Sequence, residues 1–202
     1  GYLKEIVQSH YPDFKFVVND DWSTTNILYS LTCARDHMSN GFYSSYTDTL
    51  FKEDSIGLLK KSEHDITLVM DTDWRSRYKY RSLHPESDAE KMIVQGDRVT
   101  EVSRTIESDK ASGEFTGVLK MNSKGAGIFL QYYDELLSSL GLNSNFAENK
   151  PFRMAYLIHL LNHMIQQNVE IHCVPVHGNY HEIDTLQDYE LAKADWAIAD
   201  NE

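Results

Sequence analysis

Apolar and polar positions along this chain switch between a spacing of two and a spacing of about three and a half, and the switches mark out strands and helices in alternation. The first residues, GYLKEIVQSHYPDF, read as the end of a helix leading into a strand, as in a sequence that opens inside a domain. Phe14 to Asn19 (FKFVVN) then has the run of a short buried strand, and Thr25 to Met38 that of a helix. GFYSSYTD predicts a strand ending at Asp48, Glu53 to Lys61 a helix, and DITLVMD from Asp65 to Asp71 an apolar strand. EKMIV, the turn QGDR and VTEVSRTI together predict a β-hairpin, with Gly96-Asp97 as turn residues. Gly113 to Met121 predicts another strand. Lys124 to Leu140 and Lys150 to Gln167 predict amphipathic helices, VEIHCVPV a last strand, and Leu186 to Ala197 a closing helix. Such alternation predicts an α/β fold with a Rossmann-like sheet, mixed but mostly parallel, flanked by helices.

Composition narrows the function. The 202 residues carry 19 Lys+Arg against 31 Asp+Glu, a net charge of −12, and contain no basic run. Binding to a polyphosphate backbone is therefore disfavoured, and small molecules or proteins are the expected partners. At 41% hydrophobic and 11% aromatic the chain is globular in composition, and its apolar runs fall short of the roughly 20 residues that span a bilayer. Cys33 and Cys173 sit in apolar contexts without ligand spacing, and the first residues lack a secretory pattern, so a cytoplasmic setting is expected. With no internal repeat and no Pro/Gly/Ser-rich linker, residues 1–202 read as a single domain.

Open α/β sheets bind ligands beyond the carboxyl ends of their strands, which singles out the acids at strand ends. Asp48 and Asp184 could converge on a Mg²⁺, a hard cation satisfied by one or two carboxylates together with substrate phosphates; equally, each could cap the helix that follows it. Arg75, Arg77, Lys79 and Arg81 alternate with Ser76, Tyr78 and Tyr80. If extended, that stretch would point four cations to one side and suit a phosphate or phosphonate, although a solvated surface strand reads the same way. Lys91 is a further candidate anion ligand. His159 and His163 are spaced i, i+4 but enclose no glutamate base, which excludes the HExxH zinc motif. No GxSxG elbow, Walker-type loop or GxGxxG turn occurs, so serine hydrolases, P-loop kinases and dinucleotide oxidoreductases are not indicated.

Several segments, in order, resemble one superfamily. The run from Asn19 to Leu31, with Trp22, Asn26 and Tyr29-Ser30-Leu31, is similar to the "N-x-x-(Y/W)-x-x-(T/Y)-N-x-x-Y-S-L" segment of sugar-phosphate-type nucleotidyltransferases, nearest the phosphocholine and phosphonate cytidylyltransferases. Tyr46-Thr47-Asp48-Thr49-Leu50-Phe51 resembles the family's "S-D-x-L-F" metal strand, and Glu182 to Tyr189 (EIDTLQDY) its terminal "E-I-D-(S/T)-x-x-D-Y". Between them, Asp71-Thr72-Asp73-Trp74, the run from His84 to Lys91 and Gly113 to Gly117 resemble nucleotidyltransferase domains of phosphonate biosynthesis, some of which are fused to a phosphoenolpyruvate mutase or an aminotransferase.

The resemblance implies the nucleotide-diphospho-sugar transferase type of fold and Mg²⁺-dependent transfer of CMP from CTP to a small phosphonate or phosphate monoester, releasing pyrophosphate. Asp48 and Asp184 would hold the Mg²⁺, and Lys91 and Arg104 would be catalytic. Asn26, Asp71, Asp73, Arg75, Arg77, Lys79, Arg81 and Glu114 would bind substrate. Acids interleaved with these cations suit a zwitterion, and 2-aminoethylphosphonate ranks first because the run from His84 to Lys91 resembles the phosphonate group more closely. Phosphocholine comes second, with Trp74, Tyr78 and Tyr80 as walls of an aromatic cage. Association with, or fusion to, another phosphonate-pathway enzyme is implied as well. Two departures stand out: nothing matches the family's G-x-G-(T/S)-R-L loop, expected just upstream of Gly1, so the sequence reads as N-terminally truncated or as lacking an element the family needs; and Val102-Ser103-Arg104 stands where many relatives have Ile-Gly-Lys. A sugar-1-phosphate nucleotidyltransferase and a non-catalytic binding domain are the competing readings.

Overall fold

A computed structural model describes residues 1–199. In chain order the elements are α1 (Lys4–His10), α2 (Ile27–Thr32), β1 (Phe42–Ser44), β2 (Thr49–Phe51), α3 (Glu53–Lys61), β3 (Ile66–Asp71), α4 (Trp74–Tyr78), β4 (Lys91–Gln95), β5 (Arg98–Ser103), β6 (Gly113–Met121), α5 (Ser123–Leu140), β7 (Asn145–Ala147), β8 (Lys150–Pro151), α6 (Leu157–Gln166), β9 (His172–Val176), β10 (Tyr180–Glu182) and α7 (Leu186–Ala199).

Six strands form the central sheet in the order β1-β6-β3-β9-β5-β4, with the start of β4 also pairing β6. β3 is buried at all six positions. Its period-two alternation feeds two faces: Ile66, Leu68 and Met70 pack under α5 and α6 with Phe129, Ile158 and Leu161, while Val69 joins Leu59 of α3 and Val118 on the other side. The expected α/β sheet flanked by helices is thus present. The expected predominance of parallel pairing is not: among the described residues only β3 and β9 run parallel. Parallel neighbours need a long crossover, whereas β4 and β5 are joined by a tight turn and β6 returns antiparallel between β1 and β3.

Three local expectations fail for identifiable reasons. Residues 14–19 form no strand; they have no partner ladder among the described residues, and Phe14 is 67% exposed. The helix expected over Thr25 to Met38 stops at Thr32, whose hydroxyl donates back to the Tyr29 carbonyl, and resumes only as a 3₁₀ turn at Arg35–His37. The helix expected from Lys150 begins at Leu157, because Lys150–Pro151 pairs with β7 across a tight turn in which Glu148 and Asn149 both take positive φ. No helix of the described residues is long and apolar enough to cross a membrane.

Candidate active site

A cavity of about 450 Å³ opens where β3 and β5 end and β4 and β6 begin. Two short strands shape its wall. β2 and β10 pair antiparallel with Thr49 opposite Glu182, and the Ile183 N–H donates to the Asp48 carbonyl at 2.8 Å. This ladder brings Asp48 and Asp184, 136 positions apart in sequence, onto neighbouring segments lining one cavity. Burial raises the pKa of the Asp48 carboxyl, and the charge of Asp184 raises it further.

Asp184 is held in place from behind. Its Oδ2 lies 2.6 Å from His84 Nδ1 and 3.6 Å from the Arg81 guanidinium. Arg81 is itself fixed by Asp188, whose Oδ1 accepts from Arg81 Nε at 2.6 Å. The other Asp188 oxygen accepts from the Asp184 and Thr185 backbone N–H groups and from the Thr185 hydroxyl, organising the start of α7. Burial alone would raise the Asp188 pKa; the hydrogen bonds from Arg81 and Thr185 hold it below its ordinary value.

Glu90, 7% exposed, also lines the cavity. It accepts from the Tyr46 hydroxyl at 2.9 Å and lies 3.5 Å from the Arg104 guanidinium. Burial nevertheless pushes its pKa up to about 7. Glu182, also in the wall, is pushed up to about 8 by burial and by the charges of Glu114 and Asp184. Arg104 lies over the Tyr156 ring at 4.2 Å, and Lys150 Nζ is 4.1 Å from the same ring and 3.0 Å from its hydroxyl. Tyr46 rests against Gly117, where φ is +75° and an added Cβ would come within 2.5 Å of the ring, so the wall needs a glycine there.

Of the residues singled out from sequence, Asn26, Asp48, Arg104 and Asp184 meet in this cavity. The others do not. The stretch from Arg75 to Arg81 is not extended: Trp74–Tyr78 is helical, so its cations fan out instead of sharing a side. Arg75 lies 3.5 Å from Glu86 on the surface, and Lys79 is exposed. Arg77 is buried between Asp71 and Glu114, donating to both, with the Tyr78 hydroxyl donating to Glu114 at 2.7 Å. Arg81 is engaged by Asp188. The remaining Asp71 oxygen accepts from the backbone N–H groups of Asp73 and Gly178. Asp73 accepts from Ser76 and faces a second cavity of about 260 Å³ together with Arg77 and Tyr180. Asp71, Arg77 and Glu114 are thus joined in one ionic cluster outside the lining of the larger cavity. Lys91 is 2% exposed with Nζ bonded to the Ala89 carbonyl, behind the cavity wall, and burial lowers its pKa.

Sequence reasoning did not assign roles to Tyr46, His84, Glu90, Tyr156 and Glu182, all in the wall. The first three and Glu182 lie inside the motif runs quoted above, which was a usable signal. Tyr156 sits at the head of an apolar helix and carries none.

No family model matches the chain. The CTP:phosphoglutamine cytidylyltransferase of Campylobacter jejuni is 22% identical over 201 residues, covering 95% of this chain and 78% of that protein. Among solved structures, the CTP:phosphocholine cytidylyltransferase of Streptococcus pneumoniae aligns with a TM-score of 0.69 and 22% identity over 97% of this chain and 75% of that one. The inositol-1-phosphate CTP transferase of T. maritima aligns with a TM-score of 0.66 and 20% identity, covering 94% and 70%. The resemblance to nucleotidyltransferases carried by the motifs is therefore matched over nearly the whole chain, and the fold is the one these enzymes share.

Proposed function

We propose that this protein is a cytidylyltransferase, transferring CMP from CTP to a small phosphonate or phosphate monoester that carries a primary amine, with release of pyrophosphate. The observation that carries the reading is that the paired strands β2 and β10 bring the flanking Asp48 and Asp184 into the lining of one acidic cavity of about 450 Å³. The cytidylyltransferases aligned above support the choice of CTP.

A Mg²⁺ fits this site. Two hard oxygen donors face one cavity, and Asp48 has no cationic side-chain partner among the described residues, so its charge beside that of Asp184 is left to be offset. Bound there, the ion would neutralise charge on the nucleotide's phosphates. The chain's own side chains do the rest. Arg81 and His84 hold the Asp184 carboxylate at a fixed angle. Arg104, braced on Tyr156, is the guanidinium available to an oxyanion in the cavity. Asn26 uses its side-chain oxygen to cap α2, leaving its two N–H donors for a ligand. The acceptor's own oxyanion serves as nucleophile, so the site contributes positioning and charge compensation without a covalent intermediate.

The acceptor class follows from the wall. Asp88, Glu90 and Glu182 join Asp48 and Asp184 there, against one arginine, which suits an ammonium tail behind an anionic head. An aromatic cage for a quaternary amine is not available from Trp74 and Tyr78, which are buried in the ionic cluster's own packing, nor from Tyr80, which faces the second cavity. Tyr156 already carries two cations. A primary ammonium held by carboxylates, as in 2-aminoethylphosphonate, therefore ranks above choline. Pyrophosphate release with CTP and each acceptor in parallel tests this. A kcat/KM for phosphocholine or a sugar-1-phosphate at least ~10-fold above that for 2-aminoethylphosphonate, about 1.4 kcal/mol of transition-state preference, overturns the ranking.

A further inference from the structure

Arg104 is the one arginine lining the larger cavity among the described residues, and it has two neighbours that pull on it differently. The Glu90 carboxylate lies 3.5 Å from its guanidinium, and the Tyr156 ring lies 4.2 Å from the guanidinium carbon. Its Nε is buried without a hydrogen-bond partner, so no hydrogen bond from the chain fixes that atom. A guanidinium released from the ring would close on Glu90 and lose its charge to that carboxylate. How the Tyr156 ring is placed therefore decides whether Arg104 stays available to an anion in the cavity.

Tyr156 stands at the N-cap of α6, where its backbone N–H has no partner within the helix. His159, three residues on and 8% exposed, supplies one. Its Nδ1 accepts from the Tyr156 N–H at 3.2 Å, in the place that a glutamate or glutamine takes in a capping box. Burial lowers the His159 pKa, and a neutral ring that accepts at Nδ1 carries its proton on Nε2. That atom is closed off from solvent, 3.4 Å from Glu148 Oε1. The other Glu148 oxygen lies 4.0 Å from Lys150 Nζ, which donates to the Tyr156 hydroxyl at 3.0 Å. The His159 ring also meets the Tyr156 ring edge to face at 5.2 Å. Backbone, ring and hydroxyl of Tyr156 are thus each held, and His159 touches the first two.

We infer that His159 is a positioning residue for the transfer reaction: by accepting from the Tyr156 N–H it fixes where Tyr156 enters the cavity wall, and the ring so placed keeps the Arg104 guanidinium turned to the substrate. This rests on the function proposed above. Of the contacts His159 makes with Tyr156, the hydrogen bond is the directional one, so it sets the orientation of the residue. Without it Tyr156 is free to turn, and Arg104 relaxes toward Glu90.

The test compares, in the whole protein, His159→Leu, which removes the acceptor, with His159→Gln, which keeps one at the capping-box position. The placement of Arg104 is read by nitrogen-15 NMR of its Nε–H, assigned by its loss in Arg104→Met. Turnover is read as pyrophosphate release from CTP with 2-aminoethylphosphonate. In His159→Leu the Arg104 signal should move and kcat/KM should fall ~10-fold, with both close to the parent in His159→Gln. His159→Phe, which keeps a ring against Tyr156 but no acceptor, takes the place of His159→Leu if that variant does not fold. In an Arg104→Met background the loss of the acceptor should cost no further turnover, whereas a merely structural role would lower the rate by the same factor in both backgrounds. A parent that releases no pyrophosphate refutes the proposed transfer and leaves the NMR comparison to decide the positioning. The inference is overturned if the Arg104 signal is unmoved in the acceptor-free variant, or if its kinetic loss and that of Arg104→Met multiply.

Discussion

Replacing Arg77 by Met separates a structural role for this arginine from the anion-binding role its sequence context suggested. Its guanidinium, 11% exposed, bridges Asp71 at 0% and Glu114 at 3%, so the substitution leaves two buried carboxylates without their counter-charge. Breaking such a pair on one side costs about 3–5 kcal/mol. For a chain of this size each kcal/mol moves Tm by roughly 2–4 °C, so calorimetry should show a fall of about 6–20 °C. The loss has a pH signature. Burial already raises the Glu114 pKa, and losing Arg77, the largest influence lowering it, raises it further. A carboxyl whose folded pKa lies above its unfolded value binds extra protons when native, so its stabilising contribution is present at low pH and disappears as pH rises through that window. Arg77→Met should thus be more damaging at pH 8 than at pH 5, and adding Glu114→Gln should restore part of the loss at pH 8. A variant that melts within about 2 °C of the parent while its acceptor KM rises tenfold would return Arg77 to the substrate.

Other consequences are as direct. Asp48→Asn removes a carboxylate whose charge Asp184 opposes, so turnover should fall at least ~100-fold while Tm holds or rises; loss of folding instead would assign Asp48 a structural role. Glu90, at about 7, gains charge as pH rises through neutrality, so the KM for an amine-bearing acceptor should fall across that range and Glu90→Gln should flatten the profile. Because that pKa lies above the ordinary carboxyl value, Glu90 contributes stability that declines from about pH 4.5 to 7, at most about 1.4 kcal/mol per pH unit, and Glu90→Gln should lose this slope in denaturant titrations. Gly117→Ala forces a Cβ into Tyr46 at positive φ and should lower both Tm and activity, whereas Gly127→Ala, where nothing lies within 4 Å, should be tolerated.

The strands and helices of the central sheet were legible from their apolar periods: β3, β4, β6 and α5 lie within a residue of where the pattern puts them, and β5 ends three residues early. Pairing direction was not, since alternation of strand and helix says nothing of a strand such as β6 that returns between two others. Asp48 and Asp184 stood out in the motif runs, and they share one cavity because the strands they flank, β2 and β10, pair with each other. The cation stretch misled because basic residues at period two imply one face only in an extended chain, and five helical residues are enough to disperse them. Nothing in the sequence announces that Arg77 is neutralised by Asp71 and Glu114, which come from two other elements.

Phosphorus NMR of the protein incubated with CTP, Mg²⁺ and 2-aminoethylphosphonate shows whether CMP is joined to an amine-bearing phosphonate in this cavity. A coupled pair of resonances from the new anhydride should grow in equal amount with pyrophosphate and be absent for Asp48→Asn and Asp184→Asn. Pyrophosphate appearing with free CMP and no adduct, or the adduct forming undiminished in both variants, would contradict the proposed transfer.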